Sequence, residues 1–330
     1  MHHNSNRRQA LNTLALAGLA LAGAAPARAQ TFPDRPVKII VPFAPGAGTD
    51  AVARLMAQKL GEVMGATFVV ENRAGASGAI GAQAVAQAAP DGYTLLLVAS
   101  PFTTVAASMP GANYDPLRQF APVGMIASGP LVWATNADSP AHTMKEMVGL
   151  ARQKPGALNY GSAGAGGVNH LVLELLKSRT GTFITHIPYR GVAPATMDMI
   201  AGHIQLVTGT IPALLPFIKD GRVRALAVTS AKRSNALPDV PSMAEVGLSG
   251  IDVVNFFALA APAGTPPAIV NQLNAAINKA VALPEVVARF KLDAIEAAPG
   301  SPALLGHFLE ADYRAWRNVV RSQKLVVDSL

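Results

Sequence analysis

The sequence contains no cysteine, and this absence excludes several classes of protein. A disulfide scaffold, a zinc or iron–sulfur site with cysteine ligands and a thiol nucleophile cannot be built from this chain. Intrinsic disorder is excluded as well, because 330 residues of which 50% are hydrophobic can bury a sizeable core. A core of that size needs no disulfides for stability. The lack of cysteine therefore does not by itself assign a compartment.

Beyond the amino terminus, the sequence also lacks long uninterrupted hydrophobic runs. Two stretches, residues 92–114 and 253–278, carry no charged side chain. Prolines interrupt both, and neither offers the roughly 18 continuous apolar residues that a membrane-spanning helix needs. We interpret both stretches as buried strands flanked by loops.

The first 29 residues have the pattern of a secretory signal. Arg7 and Arg8 precede an apolar run over residues 14–25, and Ala27 and Ala29 supply the small residues of a cleavage site. We therefore expect export, with cleavage after Ala29. The Sec route and, because of the arginine pair, the twin-arginine route both remain open.

Charged residues are few, at 14% of the chain. The formal net charge is +7, but residues 1–29 hold three arginines and no acidic residue, so the remaining 301 residues carry +4. These charges are spread singly, whereas nucleic-acid-binding surfaces cluster lysine and arginine. Nucleic acid is therefore not expected as a partner.

Short apolar strands alternate with amphipathic stretches along the chain. A β-branched strand at residues 37–42 leads into a first glycine loop at 44–49 and then into apolar residues at helical spacing over 52–63. A second glycine loop at 161–167 leads in the same way into a helix face over 168–176. Alternation of strands and helices predicts an α/β fold with parallel strands.

The first glycine loop matches the sequence pattern of a dinucleotide-binding fingerprint. Residues 46–51 read G-x-G-x-x-A, and Glu71 closes the next strand about 20 residues later. A dinucleotide loop turns directly from strand to glycine, however, whereas residues 42–45 intervene here. An NAD(P)-binding oxidoreductase that uses Gly46 and Gly48 therefore stands as the alternative hypothesis.

Both glycine loops are suited to binding an anion. Glycine lets the backbone approach a ligand closely, and free N–H groups point outward at the start of a helix. Two such helix starts that face each other across a cleft would hold an anion with little help from a cationic side chain. The simpler alternative is that both loops are tight turns between a strand and a helix.

No catalytic or metal-binding constellation is evident. Ser162 follows Tyr160-Gly161 and so lacks the first glycine of a nucleophile elbow. The histidines have no metal-ligand spacing, and a lone His170 early in an apolar helix is more often a packed residue than a base. We expect no enzymatic activity, no cofactor and no metal.

With those residues in place, the chain resembles the Bug family, the solute-binding receptors of tripartite tricarboxylate transporters. The resemblance extends over essentially the whole mature chain. It rests on ordered segments at residues 32–36, 40–50, 70–73, 89–96, 159–164, 186–191, 224–229, 237–242 and 261–266.

The resemblance implies a two-lobed periplasmic binding protein, type II-like, with a ligand cleft between the lobes and two crossover segments. Lobe one would comprise residues 30–125 and 255–330, and lobe two residues 126–254. The protein would be a monomer that closes on a small organic carboxylate in the periplasm and delivers it to inner-membrane transporter subunits. A ligand-sensing receptor without a transport role is the second alternative.

The resemblance also implies a set of ligand-binding residues. The first side would be formed by Phe43, Ala44, Gly46, Ala47, Gly48 and Thr49, the second by Ser162, Ala163, Gly164, Gly166, Gly167 and His170, with Ser100 and Gly209 completing the set. Relatives often have serine at position 167. They also often have an acidic or polar residue where residues 208–210 read Thr-Gly-Thr, which argues against amino-acid ligands.

Overall fold

The computed structural model describes residues 32–46, 48–322 and 325. The predicted signal segment 1–29 and Ala47 lie outside these residues. The described strands are β1 (Val37–Val41), β2 (Phe68–Asn72), β3 (Thr94–Ala99), β4 (Phe120–Asn136), β5 (Asn159–Ser162), β6 (Thr185–Pro188), β7 (Leu206–Thr210), β8 (Val223–Val228), β9 (Val254–Pro262) and β10 (Glu296–Ala297). The described helices are α1 (Gly48–Met64), α2 (Ala79–Ala86), α3 (Pro101–Ser108), α4 (Met144–Gln153), α5 (Val168–Thr180), α6 (Val192–Ile200), α7 (Ile211–Lys219), α8 (Pro267–Val281), α9 (Pro284–Leu292) and α10 (Pro302–Ser322).

The strands form two half-sheets that share the long strand β4. One path of hydrogen-bonded neighbours runs β2-β1-β3-β9-β4-β7-β5-β6, and β8 and β10 also pair with β4. The first part of β4 pairs with β9, and its last part pairs with β7 and β8. The predicted α/β fold is confirmed, and β4 and β9 carry the chain between the halves.

The prediction of parallel strands holds only inside each half. β1 is parallel to β2 and β3, and β5 is parallel to β6 and β7. By contrast, β9 is antiparallel to β3, and β4 is antiparallel to β7, β8 and β9. The two crossover strands run against their neighbours because each leaves one half to enter the other.

The interpretation of residues 92–114 as strands and loops was wrong in part. They contain β3, but also helix α3, which begins at Pro101. Proline fits the first turn of a helix because its missing N–H would have no partner there. Residues 101–108 carry no charged side chain, and Thr103, Thr104 and Ser108 are buried with the apolar residues, so the sequence shows no distinct polar face of a helix.

Each half has its own hydrophobic core, and α10 reaches both. Leu305 and Leu309 pack in the core of the first half, with Phe102 and Phe256. Trp316, two turns further along α10, packs in the core of the second half. No helix in the described part of the chain is long and apolar enough to span a membrane.

Candidate functional site

The carboxyl ends of the parallel strands in both halves converge on the middle of β4. Thr210, at the end of β7, is paired with Leu131, and Val254, at the start of β9, is paired with Pro130. The end of β3 lies beside the first residues of β9, since Ala99 pairs with Phe257. Helices α1, α3, α5 and α7 therefore begin around this crossover, as ligand sites of open α/β sheets require.

The first glycine loop, of which the structure describes residues 44–46, 48 and 49, is held by the carboxylate of Asp50. Gly46 N–H and Arg54 Nε both donate to Asp50 Oδ2 at 2.9 Å, and Asn72 Nδ2 donates to Oδ1 at 2.9 Å. The same amide donates to the carbonyl of Phe43 at 3.1 Å. One buried carboxylate thus ties the loop to the first turn of α1 and to the end of β2.

Asp50 remains ionised at any pH the protein meets in cells. The hydrogen bond from the Arg54 guanidinium, with those from Gly46 and Asn72, lowers the pKa of Asp50 to about 2 despite its burial. The first loop therefore rests on a permanent negative charge. That charge is compensated by Arg54, and it also accepts the N–H of the exposed residue Gly46.

The second glycine loop, residues 163–167, is held by the imidazole of His170. Gly166 N–H donates to His170 Nδ1 at 3.1 Å, which places the imidazole proton on Nε2. Burial lowers the pKa of His170, so the ring is neutral and remains an acceptor. The predicted contact residue His170 thus has a definite task in this structure, which is to shape the loop.

Ser162, at the end of β5, is held by His186 on the neighbouring strand. Ser162 Oγ lies 2.6 Å from His186 Nε2, and Gly164 N–H donates to the same oxygen at 3.2 Å. Both bonds are satisfied when His186 Nε2 carries the proton and the hydroxyl donates to Gly164 O at 3.0 Å. The hydroxyl then anchors the start of the loop from within.

The two histidines stack in the buried interior below this loop. Their ring centroids are 4.0 Å apart, and Tyr160 stacks on His186 at 4.7 Å. Burial, together with the neighbouring His170 and the charge of Lys177, lowers the pKa of His186 to about 3. The only anion in the group, Glu174, accepts from Tyr160 Oη and Lys177 Nζ at 2.7 Å each. The two imidazole rings that support the second loop, those of His170 and His186, are therefore both neutral.

The second loop touches the first half of the molecule. Ser108 Oγ, at the end of α3, donates to the carbonyl of Gly166 at 3.4 Å, and Ala165 packs against Val105 and Met109. A Cβ on Gly166 would lie 2.9 Å from Ser108 Oγ. Gly166 therefore has to be glycine both for its φ of 76° and for this approach.

Two of the predicted ligand residues already have partners within the fold. Ser100 is 2% exposed, accepts from Phe256 N–H at 3.1 Å and lies 3.0 Å from Asn255 Oδ1, so it joins α3 to β9. Gly209 lies inside β7, where a Cβ would come within 2.8 Å of Val192. Their contact with a ligand remains a prediction.

The residues of the dinucleotide fingerprint do not have the arrangement of a dinucleotide-binding site. Strand β1 ends at Val41 and α1 begins only at Gly48, which leaves a wide loop in place of a tight turn. Glu71 accepts from Arg73 at 2.7 Å and pairs with Lys38 at 3.4 Å, on the edge strand β2. Among the described residues, no group of three or more acidic or histidine side chains could hold a metal ion.

Sequence reasoning missed the residues that support both loops. Asp50, Asn72 and His186 entered only as parts of segments shared with a family. Glu174 and Asn169 attracted no attention, although Asn169 Nδ2 donates to Thr208 O at 2.6 Å and ties α5 to β7. The available signal was a polar residue one turn inside each helix that follows a glycine loop.

Comparison with known sequences identifies close relatives. The model of the tripartite tricarboxylate transporter family receptor matches residues 52–325. The chain is 39% identical to protein BugT of Bordetella pertussis over 306 residues, which cover 92% of this chain and 94% of BugT. It is 38% identical to a protein encoded between tcbD and tcbE in Pseudomonas sp. strain P51, with 98% and 96% of the two chains covered.

Solved structures give the same picture. A protein of R. palustris with adipate superposes with a TM-score of 0.81 at 34% identity, and the match covers 89% of this chain and 99% of that one. MatC of Rhodopseudomonas palustris with bound malate gives 0.78 at 31% identity, with 88% and 100% covered. The periplasmic binding protein BugD gives 0.78 at 32%, with 89% and 99% covered.

Proposed function

The chain belongs to the tripartite tricarboxylate transporter receptor family and is a periplasmic solute-binding protein, and from this premise we propose that its two glycine loops capture a small organic dicarboxylate. Adipate and malate, the ligands of two relatives, are both dicarboxylates. The residues predicted above would form the site, with those of the first loop on one side and those of the second loop on the other.

One observation carries this proposal. Interior side chains hold both loops in place, and each loop leads into the start of a helix, where backbone N–H groups are offered to a ligand. Asp50 and His170 each take the N–H of a loop glycine on the interior side. The first N–H groups of α1 and α5 have no carbonyl four residues earlier in their helices, as at every helix start, although at α5 the N–H of His170 already donates to Gly167 O at 3.0 Å. An anionic carboxylate placed between them would accept hydrogen bonds and be favoured by both helix dipoles.

The supporting side chains also explain why no cationic residue is needed at the site. Arg54 is already bound to Asp50, and Lys177 to Glu174. A ligand held by amides pays no cost for breaking an ion pair, and both histidines stay neutral near pH 7. The chemistry offered is recognition without reaction, so we propose a binding protein and not an enzyme.

The setting of this function follows from the same premise. We infer that residues 1–29 direct export and are removed after Ala29, and that the mature protein works as a monomer. It would present its ligand to the membrane subunits of a tripartite transporter. Loss of carboxylate uptake after deletion of the gene would support transport. Normal uptake with altered gene expression would support a sensing role instead.

Thermal unfolding of mature protein tests the proposal. Residues 30–330 are heated with adipate, malate, citrate, benzoate, glutamate and NAD in turn. A ligand at 100 times its Kd stabilises the folded state by about 2.7 kcal/mol, so a dicarboxylate should raise the melting temperature clearly. A flat response to every carboxylate would refute the proposal, and a rise with NAD alone would favour the dinucleotide alternative.

A matched pair of variants assigns the binding to the loops. Gly48 and Gly149 both lie in helices, and a Cβ on either would meet open space. Gly48→Phe places a ring at the start of α1 and should weaken carboxylate binding by about tenfold or more, about 1.4 kcal/mol. Gly149→Phe should leave the affinity within a factor of about two. Equal affinities for the two variants would remove the first loop from the site.

A further inference from the structure

A cavity of about 530 Å³ lies at the crossover between the two halves of the sheet. Its walls are residues 128–130 of β4, the segment 230–236 that follows β8, and parts of α9 and β10. Among the described residues, none of those at 42–48 or 162–170 lines it. The volume falls within the range of about 300–1,000 Å³ that is usual for small-molecule sites.

The inner wall of this cavity is apolar. Phe290 and Ile295 are 1% and 8% exposed, and both line the cavity, as does Pro130 of β4. On α9, Val286 is buried in the fold while its neighbour Val287 is 46% exposed and faces the cavity. Single exposed valines are common on protein surfaces, but this one lines the cavity and would contact a bound apolar group.

The rim of the cavity is predominantly positive. Lys232 and Lys291 line it and have no carboxylate partner in the described part of the chain. Arg233 also lines it, but its Nε donates to Glu245 at 3.0 Å. The one acid at the rim, Glu296, accepts from Asn235 Nδ2 at 3.2 Å, a bond that joins the wall of one half to the wall of the other.

We propose that this cavity is a second binding site, for an amphiphilic organic anion with one anionic head and a short apolar body. The apolar body would lie against Phe290, Ile295 and Val287. The head would lie at the rim between Lys232 and Lys291. Such a ligand would bridge the two halves, because the cavity wall is drawn from both. The site uses no residue of the glycine loops, so it stands whether or not these bind a dicarboxylate.

Calorimetric titration with octanoate tests the second site. Mature protein should bind octanoate saturably at millimolar concentration or below, and the double variant Lys232→Glu with Lys291→Glu should bind it about tenfold more weakly or worse. Both lysines are exposed, so the variant keeps the fold. Lys145→Glu reverses an exposed lysine on α4 as a control and should leave the affinity unchanged.

Two further measurements separate this site from the glycine loops. Gly48→Phe should leave octanoate affinity unchanged, and octylamine should bind much more weakly than octanoate because its charge is reversed. The proposal fails if the double lysine variant binds octanoate normally or if octanoate does not saturate. It also fails if Gly48→Phe abolishes octanoate binding, or if octylamine binds equally well.

Discussion

The two glycine loops have similar sequences, yet the molecule holds them by different means. In the first loop, Gly46 N–H donates to the carboxylate of Asp50, which is itself bound by Arg54. In the second loop, Gly166 N–H donates to the neutral ring of His170, which stacks on His186. The first support is ionic and the second is aromatic.

The surroundings of each loop explain the difference. The side chain of Arg54 is 54% exposed, so water can solvate the cation that compensates Asp50. The second loop lies over a buried core and against α3, where an ionised ring without a partner would be costly. The glycine N–H of the first loop is thus bound by a charged carboxylate whose counter-ion reaches water, and the glycine N–H of the second loop is bound by a neutral acceptor in the interior.

The largest expected effect comes from adding a methyl group to a loop glycine. Gly166→Ala should cost about 3 kcal/mol in urea unfolding, because it combines left-handed backbone strain with a close contact to Ser108 and Met109. The same variant should also bind the carboxylate more weakly.

The matched change in the first loop is Gly46→Ala. Its φ of 83° is also left-handed, but a Cβ there meets open space, so the cost should be only about 1 kcal/mol. Equal costs at Gly46 and Gly166 would show that contact with α3 adds nothing to the second loop.

Removal of the charge in the first loop should have the next largest effect. Asp50→Asn weakens the bonds from Gly46 and Arg54 to a 3% exposed carboxylate, which should cost about 2 kcal/mol of unfolding free energy. Asp293→Asn is the control, since Asp293 forms a more exposed helical pair with Arg289 and should cost less than about 0.5 kcal/mol. Similar costs would mean that Asp50 does not organise the loop.

The two supports should lose stability in different pH ranges. The pKa of His186 is lowered to about 3 in the folded protein from 6.5, so the folded state binds fewer protons and stability falls as the pH drops below about 6.5. Asp50, with its pKa lowered to about 2 from 3.8, contributes stability that is lost only as the pH falls below about 5 towards 2.

Unfolding between pH 7 and 5 therefore tests the second loop alone. The wild type should lose about 2 kcal/mol or more over this interval, and His186→Phe, which keeps a stacked ring without the titrating group, should lose less. Asp50→Asn should show the same loss as the wild type. A wild-type loss unaffected by His186→Phe would assign the titration to another group.

The smallest expected effect is that of the Ser162 hydroxyl. Ser162→Ala removes the bonds to His186 and Gly164 that anchor the loop, and should lower carboxylate affinity about fivefold, about 1 kcal/mol. Calorimetry checks this, with Ser139→Ala as a control far from the loops. An unchanged affinity would show that the stacked rings alone hold the second loop.

The sequence predicted much of the fold because its patterns are local. Residues 37–42 were predicted as a strand and became β1, and the helical spacing over 52–63 and 168–176 was confirmed by α1 and α5. The antiparallel course of β4 and β9 could not be predicted. Pairing direction depends on where the chain crosses between the halves, and β4 carries Pro122 and Pro130, residues that argue against a central strand.

The sequence by itself determined the α/β class, the two glycine loops and the residues that resemble a receptor family, because glycine, proline and apolar spacing act within a few residues. Only the tertiary structure decided that Asp50 meets Asn72 and that Ser162 meets His186. These pairs are 22 and 24 residues apart in the chain. Ser162 and His186 lie on the paired strands β5 and β6, whereas Asp50 on α1 meets Asn72 at the end of β2, the strand that pairs with β1. The charges of Lys232 and Lys291 likewise gained a meaning only when folding brought their segments to one cavity.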